Sequence, residues 1–521
     1  MLEQPPSAPH VGGTLTLTFF FVKIKKFVSI REIRGLKNTS VNSHVDIKIW
    51  GFHRFFYKKI WGFCKILRNL RKNFGCIVMI FKRKLYQKLL LWKNEREGKT
   101  AVLIEGPRRV GKSTLAEIFA QNEYESYIKI DFSIAPREVH QLFDDISNLD
   151  HLFMRLQFIY QVELKPRKSV IIFDEVQKQP LARQAIKHLV KDRRYDYIET
   201  GSLISIKKNV KDILIPSEET RYFLHPMDYE EFRWALGDTT TIALLRQAYD
   251  SMTPLTDALN RRLMRDFRLY MLVGGMPQAV EEYLESNNLS KVDEVKREIL
   301  ELYHADFKKI DSTGRTSMLF DAIPAQLTSN ASRYQFGAAK QGMSVSQSME
   351  KIAEMVESGT VSIAYHANDP SAGFAMHKDL ERFKMYLCDT GLFTTLAFWD
   401  KSFTDNILYN KLLNDKMSAD MGYVYENIVA QMLVAAGNEL FYYTFPSETS
   451  HHNHEIDFLL SREGKICTVV VKSSSYKRHA SFDEFCRKFS SRISHKYIVY
   501  TKDVRREQGL LYLPVYRTPF L

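Results

Sequence analysis

Residues Lys99–Gln121 read KTAVLIEGPRRVGKSTLAEIFAQ. The apolar run Ala101–Ile104 predicts a buried strand. GPRRVGKS fits the phosphate-loop pattern G-x-x-x-x-G-K-[ST], and TLAEIFA continues with helical spacing. Gly106 and Gly111 let the backbone curl so that its N–H groups face phosphate oxygens at a helix N-terminus. Pro107, Arg108, Arg109 and Val110 fill the loop between them, and Thr114 begins the helix. Lys112 supplies positive charge for the β- and γ-phosphates of ATP, and the Ser113 hydroxyl is a candidate Mg²⁺ ligand. A chance match in a glycine turn is the competing explanation. The flanking strand and helix, both of the required type, weigh against it.

A second motif follows at KSVIIFDEVQKQP. Val170–Phe173 predicts a strand that ends in Asp174 and Glu175. Asp174 is placed to hold Mg²⁺ through water, and Glu175 to polarise an attacking water. A solvated strand end is the plainer alternative, and the phosphate loop upstream disfavours it. YDYIETGS, Tyr195–Ser202, predicts another strand whose small polar end offers Thr200 or Ser202 to a water or the γ-phosphate. SYIKIDFS lies between the two motifs, and RYFLHPM adds a fifth strand from Arg221. Arg221 is a candidate arginine finger, in cis or from a neighbour; a solvated strand-start arginine is an equal reading. Repeated strand–helix alternation predicts an α/β fold with a parallel sheet and the nucleotide at the strands' C-terminal ends.

GPRRVGKST, VIIFDEVQ, ETGSL, RYFLHPMDYEEF and YMLVGGMPQAV occur in this order. Together they resemble a bacterial and archaeal family of AAA+-type P-loop ATPases whose core precedes a C-terminal domain of unknown function. The resemblance covers roughly residues 79–521. It implies phosphate and Mg²⁺ binding by Gly106, Gly111, Lys112 and Ser113, an acid pair at Asp174 and Glu175, and a sensor at Thr200-Gly201-Ser202. It also implies that the sensor strand lies between the two motif strands, and that Gly274-Gly275-Met276-Pro277 belongs to a lid.

Beyond Asp228 the pattern turns helical. SVSQSMEKIAEMVES carries Val345, Met349, Ile352, Ala353 and Val356 on one face, and Gly359 stops it. Two strands follow, TVSIAYHA and FKMYLCDTGLF. Helices with a strand pair outline a winged helix. Its helix carries Glu350, Glu354 and Glu357 against Lys351 alone, a poor surface for phosphates, so a structural role outweighs DNA binding. From residue 422 the order helix, strand, strand, strand, helix, strand is that of the PD-(D/E)xK nuclease fold, a domain with which the resembled family often ends. Asp457 and Lys472 match its first acid and its lysine, and Glu426 a helical acid. Val470 stands where the second strand acid belongs, and valine cannot ligate a metal. Glu455 shares a strand face with Asp457, and Glu463 is near in sequence. His451, His452 and His454 lack paired metal-site spacing. The expectation is a domain without nuclease activity.

The net charge of +13 is concentrated: residues 1–78 hold 14 basic and 3 acidic residues, leaving 60 and 58 elsewhere, so global basicity does not mark the body as nucleic-acid-binding. Five cysteines without a CxxC pair exclude a zinc or disulfide framework and suit a reducing cytoplasm. No apolar run of about 18 residues is present, so no transmembrane helix is expected. For residues 1–78, a basic aromatic surface-binding segment competes with translated sequence upstream of a start at Met79, and the second reading is favoured. Met79 opens a helix with Leu85, Leu89 and Trp92 on one face.

The expected organisation is a basic extension (1–78), an ATPase core (79–235), a helical lid (236–315), a winged-helix-like region (316–400) and a nuclease-like domain (401–521). The expected activity is Mg²⁺-dependent ATP hydrolysis coupled to DNA, a protein partner or further copies of the chain. An ATP-gated DNA nuclease and a non-hydrolysing ATP-dependent switch or scaffold are the alternatives.

Overall fold

In the computed structural model the apolar run becomes strand β1 (Ala101–Glu105), joined by β2 (Ser126–Asp131), β3 (Ser169–Asp174), β4 (Asp196–Thr200) and β5 (Glu219–Phe223). The sheet order is β2-β3-β4-β1-β5, and every pair is parallel. β4, which ends in Thr200, thus lies between β1 and β3, as the resemblance implied. β3 and β4 are buried along their whole length, and in β3 this shows in the sequence as the continuous apolar run Val170–Phe173. The structure describes residues 79–201, 217–329, 333–335, 345–371, 373–399, 422–447, 453–473 and 479–521. The chain divides into Met1–Met79 and Ile80–Leu521. The expectations for residues 1–78, and those for Ser202, His451 and His452, lie outside the described residues.

Helices cover both faces of this sheet. On one, α1 (Leu85–Arg96) and α2 (Lys112–Glu123) bury Leu85, Leu89, Trp92 and Phe119 against Val102, Ile104, Ile172 and Ile198. The predicted face of α1 is the buried one. On the other, α3 (Pro180–Asp192) places Ile186 and Leu189 in a cluster with Leu103, Ile171, Phe173 and Tyr197. Helix α4 (Tyr229–Ala235) begins with a capping box: Asp228 accepts from Glu231 N at 2.9 Å, and Glu231 accepts from Asp228 N at 3.2 Å. Further helices follow as α5 (Asp257–Val273), α6 (Pro277–Ser286) and α7 (Leu289–Ile310), then α8 (Val345–Glu357).

A second sheet has eight strands: β6 (Val361–Ala367), β7 (Lys378–Leu387), β8 (Leu440–Pro446), β9 (Asn453–Arg462), β10 (Lys465–Val471), β11 (Ile493–Tyr500), β12 (Arg505–Glu507) and β13 (Leu510–Pro514). Their order is β12-β13-β11-β10-β9-β8-β6-β7. Helices α9 (Thr390–Ala397), α10 (Gly422–Ala435) and α11 (Ala480–Lys488) accompany them. The element order expected from residue 422 onward is observed.

The winged-helix reading is corrected here. The β6–β7 hairpin is not a free-standing wing, because β6 pairs in parallel with β8 through Ala364↔Leu440 and Tyr365↔Phe441. The boundary drawn at residue 400 therefore crosses one sheet. One apolar cluster also unites Phe267 of α5, Leu300 of α7, Ile352 and Met355 of α8, Met385 of β7, Val429 of α10 and Phe458 of β9. The single lysine of α8, Lys351, lies 3.4 Å from Asp311, which neutralises the one basic group that a phosphate-reading helix would have offered. Among the described residues, no helix is long and apolar enough to cross a membrane.

Candidate nucleotide site

The phosphate loop leaves β1 through Gly106, whose φ of +144° is accessible to glycine and whose missing side chain matters as much. A Cβ there would sit 2.3 Å from the Leu224 carbonyl oxygen. At the other end, Gly111 adopts φ +95° and hands the chain to α2. Lys112 lies in the first turn of that helix, buried, with its Nζ donating to the Gly106 and Pro107 carbonyls at 2.9 and 3.0 Å. Burial lowers its pKa to about 8, opposed by the charges of Glu175 and Asp174. The ammonium thus spans the loop from within and faces both predicted acids.

Ser113 Oγ donates to Asp174 Oδ1 at 2.6 Å, and Thr200 Oγ1 donates to the same oxygen. Parallel pairing of β3 with β4, and of β4 with β1, brings the ends of these strands level. Sequence reading found all three residues but missed Lys129. From β2, its Nζ reaches Glu117 at 2.8 Å and Asp174 Oδ2 at 3.6 Å. The signal available was a lone lysine in the strand next to the Asp174 strand. Glu175 follows in the left-handed region at φ +55°, and its carboxylate accepts a hydrogen bond from Gln177 Nε2.

The remaining loop residues divide. Val110 is buried, and its carbonyl accepts from Arg83 Nη1 at 2.9 Å. Arg83 also donates to the His225 carbonyl at 2.5 Å and pairs with Glu231 at 3.2 Å, so it ties the loop to the start of α4. Arg108 does not turn into the loop; it pairs with Asp306 of α7 at 2.8 Å. Arg109 is exposed at φ +67°, and Thr114 is exposed on α2. Pro277, first residue of α6, has its Cγ 3.7 Å from where a Gly111 Cβ would stand, so the turn before α6 abuts the loop. Arg221 is not brought to this site. It sits mid-strand, in register with Leu103, and its Nε lies 3.4 Å from Glu219 of its own chain.

This donor set fits a Mg²⁺–nucleotide. A buried ammonium, satisfied by carbonyls alone, faces two carboxylates, and a hydroxyl and a carboxylate stand together at a helix N-terminus. Ser113 and Asp174 would hold the ion.

The second predicted site assembles differently from expectation. Glu426 of α10 and Glu455 and Asp457 of β9 do converge, but around Lys384 of β7, which the sequence reading missed. Lys384 Nζ donates to Glu426 Oε1 at 3.2 Å and to Glu455 Oε1. Tyr386 OH donates to Glu426 Oε1 at 2.5 Å, and Asp457 Oδ2 accepts from Val471 N at 2.6 Å. Although burial opposes it, the charges of Glu426 and Glu455 raise the lysine's pKa. Val470 is buried in a different apolar cluster, with Ile456, Phe482, Phe485 and Ile498. Among the described residues, no group of three or more His, Cys, Asp or Glu is arranged to hold a metal ion. These residues do not fit a nuclease metal, because an ammonium already occupies the space between the carboxylates.

Residues 98–233 match a family model described as an AAA domain. Residues 264–402 and 421–517 match two models described as domains of unknown function, DUF8612 and DUF4143. No curated protein matches the chain. Among solved structures, a Walker-type ATPase of Pyrococcus abyssi is 15% identical, with 61% of this chain and 96% of that one covered and a TM-score of 0.36. A signal-transduction ATPase with a tetratricopeptide repeat sensor from Pyrococcus horikoshii is 14% identical, with 69% and 50% covered and a TM-score of 0.24. The RuvB Holliday junction branch migration motor of Thermotoga maritima is 14% identical, with 54% and 89% covered and a TM-score of 0.25. The parallel strand order and the phosphate loop of residues 98–233 are consistent with the AAA-domain model that matches them.

Proposed function

We propose that the chain is a Mg²⁺-dependent ATPase. The observation that carries this reading is the meeting of Ser113 and Thr200 on one oxygen of Asp174, with Lys112 and Glu175 beside them. Magnesium, when bound, would neutralise charge on the β- and γ-phosphate oxygens. Lys112 adds a fixed positive charge from the protein, already desolvated and aimed through the loop. Glu175 accepts the proton of the attacking water. Thr200, held by Asp174, offers its hydroxyl oxygen close to the same place. The AAA-domain match supports nucleotide binding, and the acid following Asp174 supports hydrolysis.

Lys112→Ala is expected to abolish ATP binding. Glu175→Gln is expected to keep ATP binding and to stop turnover, read as phosphate release under multiple-turnover conditions. Parental turnover in Glu175→Gln would overturn the assignment of the base. Turnover with and without DNA, followed alongside DNA integrity, tests whether nucleic acid is the coupled partner. The Lys384 cluster gives the nuclease alternative no support.

A further inference from the structure

We propose that Gln177 is a positioning residue for Glu175, an inference that rests on the ATPase reading above. Asp174 is fixed by two hydroxyls and faces Lys129. None of those groups orients its neighbour. Glu175 sits at φ +55°, a conformation uncommon for a residue with a side chain, and it starts the tight turn Val176–Lys178. Lys178 N closes that turn on the Glu175 carbonyl at 2.9 Å. The turn folds residue 177 back over residue 175, and the Gln177 amide donates to Glu175 Oε2.

Gln177 is itself well placed to hold something still. It is 3% exposed. The next residue but one, Gln179, anchors the turn by donating to the His140 carbonyl at 2.8 Å, and Pro180 then opens α3. The chemistry of an amide also suits the task. Its N–H₂ group only donates and does not titrate, so it fixes a carboxylate without competing for the proton that the carboxylate must take from water. A hydroxyl or an acid in its place would do one or both of those things. In this role Gln177 is a positioning residue, acting on the reaction through Glu175.

The test uses the full chain. Gln177→Met keeps the side chain's length and removes the donor. Its kcat is expected to fall about 10- to 100-fold, the usual effect of losing a supporting hydrogen bond, while its ATP dissociation constant stays at the parental value. In a Glu175→Ala background the same change is expected to leave the single-turnover rate where Glu175→Ala alone puts it. Gln177→Glu, which preserves shape and replaces the donor with a second carboxylate, carries the test if the methionine variant does not fold, with the same loss expected. Parental kcat in these variants, or an equal fractional loss with and without Glu175, overturns the positioning role. A silent Glu175→Gln with a fully active Gln177→Met sinks this inference alone. An active Glu175→Gln sinks the assignment of Glu175 as the base, on which this inference rests.

Discussion

Lys384 Nζ stands 3.2 Å from Glu426 Oε1, and the same ammonium also donates to Glu455. A charge this deeply placed is stable only because its partners are there, and they are stable only because of it. Lys384→Met is therefore expected to cost about 3–5 kcal/mol, the range for breaking a buried pair from one side. Adding Glu426→Gln and Glu455→Gln is expected to recover much of the loss. Urea unfolding of the single, double and triple variants checks this, and full additivity of the three changes would sink it.

The same cluster makes stability depend on pH. Burial first, then the charge of Glu426, push the Asp457 carboxyl up to about 7, and Glu455 adds to the push while Lys472 and Lys384 oppose it. Tyr386 completes the surroundings by donating to Glu426. An unfolded aspartate titrates near about 3.9, so the folded chain holds this proton more tightly than the unfolded chain does. The stabilisation is fully present below that lower value and is lost as pH rises through about 7. Between roughly pH 5 and 8 the parent is expected to lose stability relative to Asp457→Asn, measured as the difference in their urea midpoints. A constant difference across that range would refute the titration.

Val470→Glu is the change that would restore the missing acid of a nuclease. Its position within the Ile456, Phe482, Phe485 and Ile498 cluster changes the expectation. A carboxylate there is buried without a partner and is expected to destabilise the chain by several kcal/mol, with no cleavage of plasmid DNA in Mg²⁺ or Mn²⁺. Cleavage that depends on Asp457 would reverse this reading.

The phosphate loop was legible because its chemistry is contiguous: Gly106 to Ser113 carry strand exit, turn, charge and hydroxyl in one short run. Asp174 was legible because it ends an apolar strand, and Thr200 because it ends a strand in the run of small polar residues Thr200-Gly201-Ser202. Lys384 was not, because its partners lie 42 and 71 residues away, and an isolated lysine in FKMYL reads as a solvated strand position until α10 and β9 close over it. The misread wing has the same cause. Val361–Leu387 has the pattern of a hairpin whether its edge is free or paired, and β8, which pairs with it, begins only at Leu440. Arg221 lies level with Leu103, short of the strand end where the site forms, so its own strand does not bring it to the site.

Asp389 shows how the Gly274–Pro277 turn depends on the chain's later half. Its Oδ2 accepts from Gly275 N at 2.6 Å across 114 residues, while its Oδ1 caps α9 through Leu392 N at 2.9 Å. The fit is close enough to require glycine on both sides, since a Cβ on Gly391 would lie 2.5 Å from Gly274 Cα. Lys296 ties the same junction by donating to the Leu272 and Gly391 carbonyls at 2.8 and 3.2 Å. Two residues beyond Gly275, Pro277 abuts the phosphate loop at Gly111, so the carboxylate of Asp389 fixes a turn that ends at the nucleotide site. Asp389→Asn keeps the size and can retain only one of the two accepting oxygens. It is expected to cost about 1–3 kcal/mol of stability through the buried Gly275 N–H left without its partner. ATP affinity is expected to fall with it, because Pro277 is no longer held. Thermal unfolding and nucleotide titration on the same preparation separate the two effects. A destabilised variant that binds ATP as the parent does would show that the clamp serves the fold and not the nucleotide.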